Sequence, residues 1–213
     1  MPSSSGTRTT WRGRGSPIRC FAAAAVAERE VVSALRSVAG RFPFHGIKWV
    51  AGGPYHFTLK FLGEQDGVHV AAAGRALESA ARASARFRVV LRGVGAFPGS
   101  GPPRVVWAGC REGKEELTRL ASAVEEAFET EGFPPEARPF SPHLTLGRVK
   151  DPRAVPGRPF REVLAAESDT LFGALPVDDL VLFRSDLSPA GPTYVPLVRV
   201  PLVGRPAAFT PGS

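Results

Sequence analysis

Two segments of this chain share a pattern. His56-Phe57-Thr58-Leu59-Lys60-Phe61-Leu62-Gly63 and His143-Leu144-Thr145-Leu146-Gly147-Arg148-Val149 both contain His-x-Thr-Leu. Each follows a turn signal, Gly53-Pro54 in the first case and Ser141-Pro142 in the second, and each reads as a strand. Successive side chains of a strand point to opposite faces. His56, Thr58 and Lys60 therefore share one face, and Phe57, Leu59 and Phe61 share the other. Likewise His143 and Thr145 lie opposite Leu144 and Leu146. Each strand buries an apolar face and presents a His-Thr pair on its other side. If the two strands face each other across a pseudo-twofold axis, two imidazoles and two hydroxyls line one cleft.

That set suits phosphoester chemistry. Two imidazoles can supply one general base and one general acid near neutral pH. Two hydroxyls can donate to the non-bridging phosphoryl oxygens, where charge accumulates in the transition state. Lys60 or Arg148 would add positive charge. The motif strands hold no Cys, Asp or second His that would complete a three- or four-ligand set, so neither a metal nor another cofactor is expected. A lone strand histidine is more often structural than catalytic, and His45 and His69 take that reading. The repeated neighbours at repeated spacing reverse it for His56 and His143.

The rest of the chain sets the frame. It has 213 residues, 43% hydrophobic and 22% charged, ordinary for a globular protein with a sizeable core. No apolar run approaches the roughly 18 residues a membrane span needs. Residues 1–16 are Ser, Thr, Gly and Arg with one Trp and read as a disordered basic tail, a dispensable extension or an RNA contact through Arg and Trp11. Residues 205–213 read as a second flexible tail, which leaves 17–204 as the folded unit. Four of the 27 basic residues precede the first acid, Glu28, so more than half of the +7 net charge sits near the N-terminus. The remainder permits an anionic partner without demanding one. Cys20 and Cys110 sit alone in apolar stretches and read as buried free thiols, though one bridge is the most they could form. With no disulfide framework and no signal peptide, the expected location is the cytoplasm.

Between the tails, strands and helices mix. Strands are expected over 18–26, 47–50, 55–62, 87–91, 104–108, 140–149, 180–183 and 195–200. Helices are expected over 28–39, 68–85, 114–130 and, briefly, 161–166. Leu117, Leu120, Val124 and Phe128 recur at helical spacing in the third of these. The class is α+β, with antiparallel pairs and helices on their outer faces.

In these residues the chain resembles the 2H phosphoesterases, named for paired His-x-Thr/Ser motifs, and within them the RNA 2′,3′-cyclic phosphodiesterases formerly called 2′-5′ RNA ligase. The resemblance extends to Arg19-Cys20-Phe21-Ala22, to Ile47-Lys48-Trp49-Val50, to GVGAFPGSGPPRVVWAG over 93–109, to the block over 132–150 and to LFRSDLSPAGPTYVPL over 182–197. It implies a bilobal fold in which two antiparallel sheets face a central cleft with helices outside. It implies hydrolysis of a terminal RNA 2′,3′-cyclic phosphate to a 2′-phosphomonoester, with His56 as acid, His143 as base, and Thr58 and Thr145 on the phosphate. No membrane, no obligatory protein partner and a monomer are expected, although the resemblance does not itself settle the oligomeric state.

Three further positions match the family and leave alternatives open. Arg148 matches a phosphate-contacting arginine, yet alternation puts it opposite His143. Either the strand bulges or ends near Gly147, or the side chain curls round, or Arg148 is structural. Phe61 matches an aromatic that stacks on the terminal base, yet alternation sends it away from His56 and into the core. Lys60 lies on the catalytic face by alternation and either steers RNA or is simply solvated. Gly52-Gly53-Pro54-Tyr55 departs from the more polar approach the family shows, and the N-terminal extension is unusual. Trp49, Trp107 and Tyr194 read as core or rim packing. Competing functions are 2′-5′ ligation as the reverse reaction, cleavage of another cyclic phosphate or of a 2′-5′-linked oligonucleotide, a non-catalytic RNA-binding module, and a structural protein. The last two leave the paired imidazoles unexplained.

Overall fold

The computed structural model describes residues 16–50, 54–188 and 191–204. Both expected tails, apart from Ser16, and the Gly52-Gly53 turn lie outside the described residues.

In chain order the elements are β1 (Ile18–Ala25), α1 (Arg29–Ser37), β2 (Ile47–Trp49), β3 (His56–Gln65), α2 (Gly67–Ala83), β4 (Phe87–Phe97), β5 (Val105–Glu112), α3 (Lys114–Thr130), β6 (Leu144–Val149), α4 (Gly157–Ala166), β7 (Leu171–Val177), β8 (Asp179–Ser188) and β9 (Gly191–Pro201). This is the expected α+β class. The strands run β7-β4-β5-β6-β3-β1-β8-β9, with β2 also on β6, and every pairing is antiparallel. The two expected sheets are thus two halves of one curled sheet. A single residue pair joins them, Phe57 of β3 with Leu144 of β6. Each is the middle residue of its His-x-Thr, so the pseudo-twofold axis passes between them.

Helices cover one side of this sheet. The alanine face of α2 (Ala72, Ala73, Ala76, Ala80) lets it lie close against β8 and β9, and α3 packs on α2, β3 and β5. Asp66 caps α2 by accepting from the N–H groups of Val68 and His69, and its carboxylate also binds the His69 ring at 2.8 Å. His69 is therefore structural, as expected. The strand β1 is buried along nearly its whole length because both its faces are covered. Cys20, Ala22 and Ala24 join the helix-side core, while Phe21 and Ala23 join a separate cluster with Val181 and Phe183 on the opposite face. Cys20 and Cys110 are both free, but only Cys20 is buried as expected; Cys110 is partly exposed near the end of β5, and the burial each has pushes both thiols up to about 11. Among the described residues no helix is long and apolar enough to cross a membrane.

Several elements differ from expectation, and β8, β9 and α4 are each longer than expected. The strand β7 is absent from the sequence pattern, because Gly173 and Pro176 interrupt its alternation. It is tolerated because β7 sits at an edge of the sheet. The β4–β5 hairpin is longer than its sequence indicates, since Gly93, Gly95 and Gly109 depress strand propensity. Finally, β6 begins at Leu144 and not at Phe140. Pro142 has no N–H to give a ladder.

Candidate active site

The Phe57–Leu144 pair places the two motifs side by side in opposite directions. Antiparallel pairing about that point brings His56 toward Thr145 and Thr58 toward His143. All four lie on the face away from the helices, since Phe57, Leu59, Leu144 and Leu146 occupy the helix-side core. The expected convergence of the two His-Thr pairs is therefore present. Neither threonine hydroxyl has a hydrogen-bond partner among the described residues.

The two histidines are held alike. His56 Nδ1 lies 3.0 Å from the carbonyl oxygen of Pro54, and His143 Nδ1 lies 2.7 Å from that of Ser141. A carbonyl only accepts, so Nδ1 carries the proton and donates it. That leaves Nε2 of each neutral ring as the acceptor available for chemistry. Aromatic rings fix the imidazole planes. Phe21 lies 4.9 Å from the His56 ring and Tyr194 meets it edge-on at 5.0 Å. Phe97 meets His143 edge-on at 5.0 Å. Burial holds both imidazoles below the usual histidine range, against the opposing pull of the Pro54 and Ser141 carbonyls. Arg148 depresses both further, and His143 adds to the effect on His56.

The residues after each threonine correct the alternation argument. Opposite β3, Ala23 pairs with Thr58 and Ala22 with Lys60, so Leu59 is an extra residue. Opposite β6, Trp107 pairs with Thr145 and Val106 with Gly147, so Leu146 is an extra residue. Each motif thus carries a β-bulge at the leucine that follows its threonine. A bulge returns the next-but-one side chain to the face that strict alternation denies it. Phe61 and Arg148 stand at the same place relative to their histidines, and both are restored to the cleft face. Phe61 is 58% exposed and lies 6.2 Å from Phe21. Arg148 is exposed and acts on His56, His143 and Tyr194 alike. The core reading of Phe61 is overturned, and the bulge is the reading of Arg148 that the geometry selects.

The same bulge removes Lys60 from the cleft. The residue is 2% exposed, and Nζ donates to Glu125 Oε1 at 2.6 Å and to the Pro134 carbonyl at 2.9 Å. Both the catalytic-face reading and the solvated reading of Lys60 are corrected: it is a buried ion-paired residue behind the sheet. In its place Lys48 shares the Arg148 face, because the two are cross-strand partners. Sequence reasoning passes over Phe21, Phe97 and Phe183 at the site, and it gives Tyr194 only a packing role, whereas all four rings meet His56 or His143. The signal for Phe21 is the unbroken apolar run of β1, which only a strand covered on both faces requires. Among the described residues no group of three or more His, Cys, Asp or Glu is gathered as a metal site.

Comparison with known proteins fits this geometry. The family model of the 2′-5′ RNA ligase superfamily matches residues 23–189, and the chain belongs to that family. The RNA 2′,3′-cyclic phosphodiesterase of Aeropyrum pernix is 38% identical over 154 residues, 72% of this chain and 85% of its own. That of Thermus thermophilus is 39% identical over 173 residues, 76% and 79%. Among solved structures, TT0787 of Thermus thermophilus superposes with a TM-score of 0.74 at 34% identity, covering 88% of this chain and 99% of that one. E. coli LigT complexed with 3′-AMP gives 0.68 at 26% identity, with 87% and 98% covered.

Proposed function

We propose that this protein hydrolyses the 2′,3′-cyclic phosphate at an RNA terminus to a 2′-phosphomonoester, without a metal ion. The observation that carries the reading is the duplicated anchoring of His56 and His143, which leaves one Nε2 on each side of a two-threonine cleft. Water attacks phosphorus and gives its proton to His143 Nε2. The P–O3′ bond breaks in line, and His56 Nε2 delivers its proton to O3′. Thr58 and Thr145 donate to the non-bridging oxygens, and Arg148 offsets their charge. Phe61 offers a ring for the terminal base. The relatives from Aeropyrum pernix and Thermus thermophilus are named RNA 2′,3′-cyclic phosphodiesterase, which supports the reaction class. We place the reaction in the cytoplasm, by a monomer with no obligatory protein partner; the two free cysteines support that location.

The test is turnover in EDTA of a short RNA ending in a 2′,3′-cyclic phosphate beside a 2′-5′-linked oligonucleotide of the same sequence. Faster loss of the cyclic phosphate is expected. Preferred cleavage of the 2′-5′ linkage would assign the site to the competing substrate, and binding without turnover of either would make it an RNA-binding module.

Phe61→Ala gives a second expectation. The ring is largely exposed, so unfolding stability should change by no more than about 0.5 kcal/mol. Loss of a base-stacking ring should raise KM about 10-fold. A large fall in thermal stability with unchanged KM would return Phe61 to a packing role.

The pH profile is a third. The free enzyme needs one histidine protonated and the other neutral, and both are held below their ordinary value of about 6.5. Raising the pH toward neutrality strips the proton the acid needs, so kcat/KM should already be falling at about pH 6.5 and fall further above it. The acid limb lies lower still. A plateau extending beyond pH 8 would contradict this.

A further inference from the structure

A second cavity of about 310 Å³ opens beside His143, bordered by Ser141, Pro142, Trp107, Arg92, Cys110 and Lys114. That volume is at the low end of small-ligand sites, and no acidic side chain lines it. Two of its lining residues touch the active-site strand. Ser141 supplies the carbonyl that anchors His143, and Trp107 is the cross-strand partner of Thr145.

Three features of this cavity are unexplained by the fold. The first is the flat bed under Trp107. A Cβ on Gly95 would come within 2.1 Å of the indole ring, and one on Gly109 within 3.3 Å. The ring lies down across two glycines with one face on the sheet. The indole N–H is also the one buried side-chain donor among the described residues that has no acceptor. The second is Lys114, the first residue of α3. A cation there works against the helix dipole, which favours the acids Glu115 and Glu116 that follow. The third is Arg92. Asp169 holds it through Nε and Nη2, which fixes the guanidinium while Nη1 has no partner among the described residues.

A flat aromatic ring beside two cations is the chemistry that receives a nucleotide. We infer that this cavity is the subsite for the nucleotide preceding the cyclic-phosphate end, its base against Trp107 and its phosphodiester between Arg92 and Lys114. This rests on the proposed activity and deepens it: the substrate class becomes an oligonucleotide of at least two residues, in preference to a cyclic mononucleotide.

The test compares kcat/KM for adenosine 2′,3′-cyclic phosphate with that for an ApA dinucleotide ending in the same group, using wild type, Lys114→Gln and Arg92→Gln. The wild type should favour the dinucleotide by about 10-fold. Lys114→Gln should lose most of that gain while its mononucleotide turnover stays within about 2-fold of wild type. Equal values for the two substrates in wild type, or a length gain that survives both substitutions, would overturn the subsite. Calorimetric binding of the 2′-phosphorylated dinucleotide, against the 2′-phosphorylated mononucleotide, reads the same ordering without turnover. If neither cyclic substrate reacts but this binding preference holds and is lost in Lys114→Gln, the proposed chemistry falls and the subsite stands. If the preference is also missing, both fall.

Discussion

Replacing either His56 or His143 by alanine should lower turnover of a cyclic-phosphate RNA end by about 10²–10⁴-fold. The two effects should not multiply. Acid and base act in one step, so the double variant should be little worse than either single one. His143→Ala loses one edge-on ring contact, to Phe97, and should fold normally. His56→Ala also loses contacts to Phe21 and Tyr194, so His56→Gln is the better-packed companion variant. The pseudo-twofold arrangement makes a further demand, that the two positions be comparably sensitive. A variant that retains more than about a tenth of wild-type turnover would mean that its histidine orients the cleft and transfers no proton.

The largest stability effect should come from Lys60→Met. Lys60 ties β3 to Glu125 on α3 and to the Pro134 carbonyl, and the same Glu125 oxygen accepts the Glu136 N–H at 2.8 Å. Glu136 in turn accepts from the Phe61 N–H at 3.2 Å. Removing the ammonium leaves the Glu125 carboxylate facing a covered site with no cation. Breaking a buried pair in this way costs about 3 kcal/mol, the low end of the range because Glu125 is partly open to solvent. In a chain of this size that lowers Tm by about 6–12 °C. Lys60→Met with Glu125→Gln should recover most of the loss, since neither charge is then stranded. An unchanged Tm in the single variant is what a solvated lysine would give, and it would refute the buried assignment.

Lys60 also marks where the sequence stops being readable. Period-two alternation places His56, Thr58, His143 and Thr145 on one face, because those residues precede the bulges. Beyond Leu59 and Leu146 the phase slips by one, and alternation assigns the wrong face to Lys60, Phe61 and Arg148 together. A bulge has no composition of its own. It exists because one strand must offer two residues to one on its partner, and that partner is far away in the chain. Helix α3 lies over 114–130 as its 3.6-residue apolar spacing indicates, since helical hydrogen bonds are local. The strand β7 is illegible for the reverse reason: its Pro176 is harmless only at an edge, and edge position is a property of the assembled sheet. The aromatic wall around His56 is half visible. The apolar run of β1 signals a strand covered twice, but Tyr194 reaches the site only through the β8–β9 pairing.

The most direct measurement is the chemical identity of the product terminus after wild-type turnover of a cyclic-phosphate-ended RNA in EDTA. The proposed placing of His56 beside the leaving oxygen requires cleavage of P–O3′, and so a 2′-phosphate. A 3′-phosphate product, or turnover that appears only when a divalent metal is restored, would contradict the two-histidine mechanism.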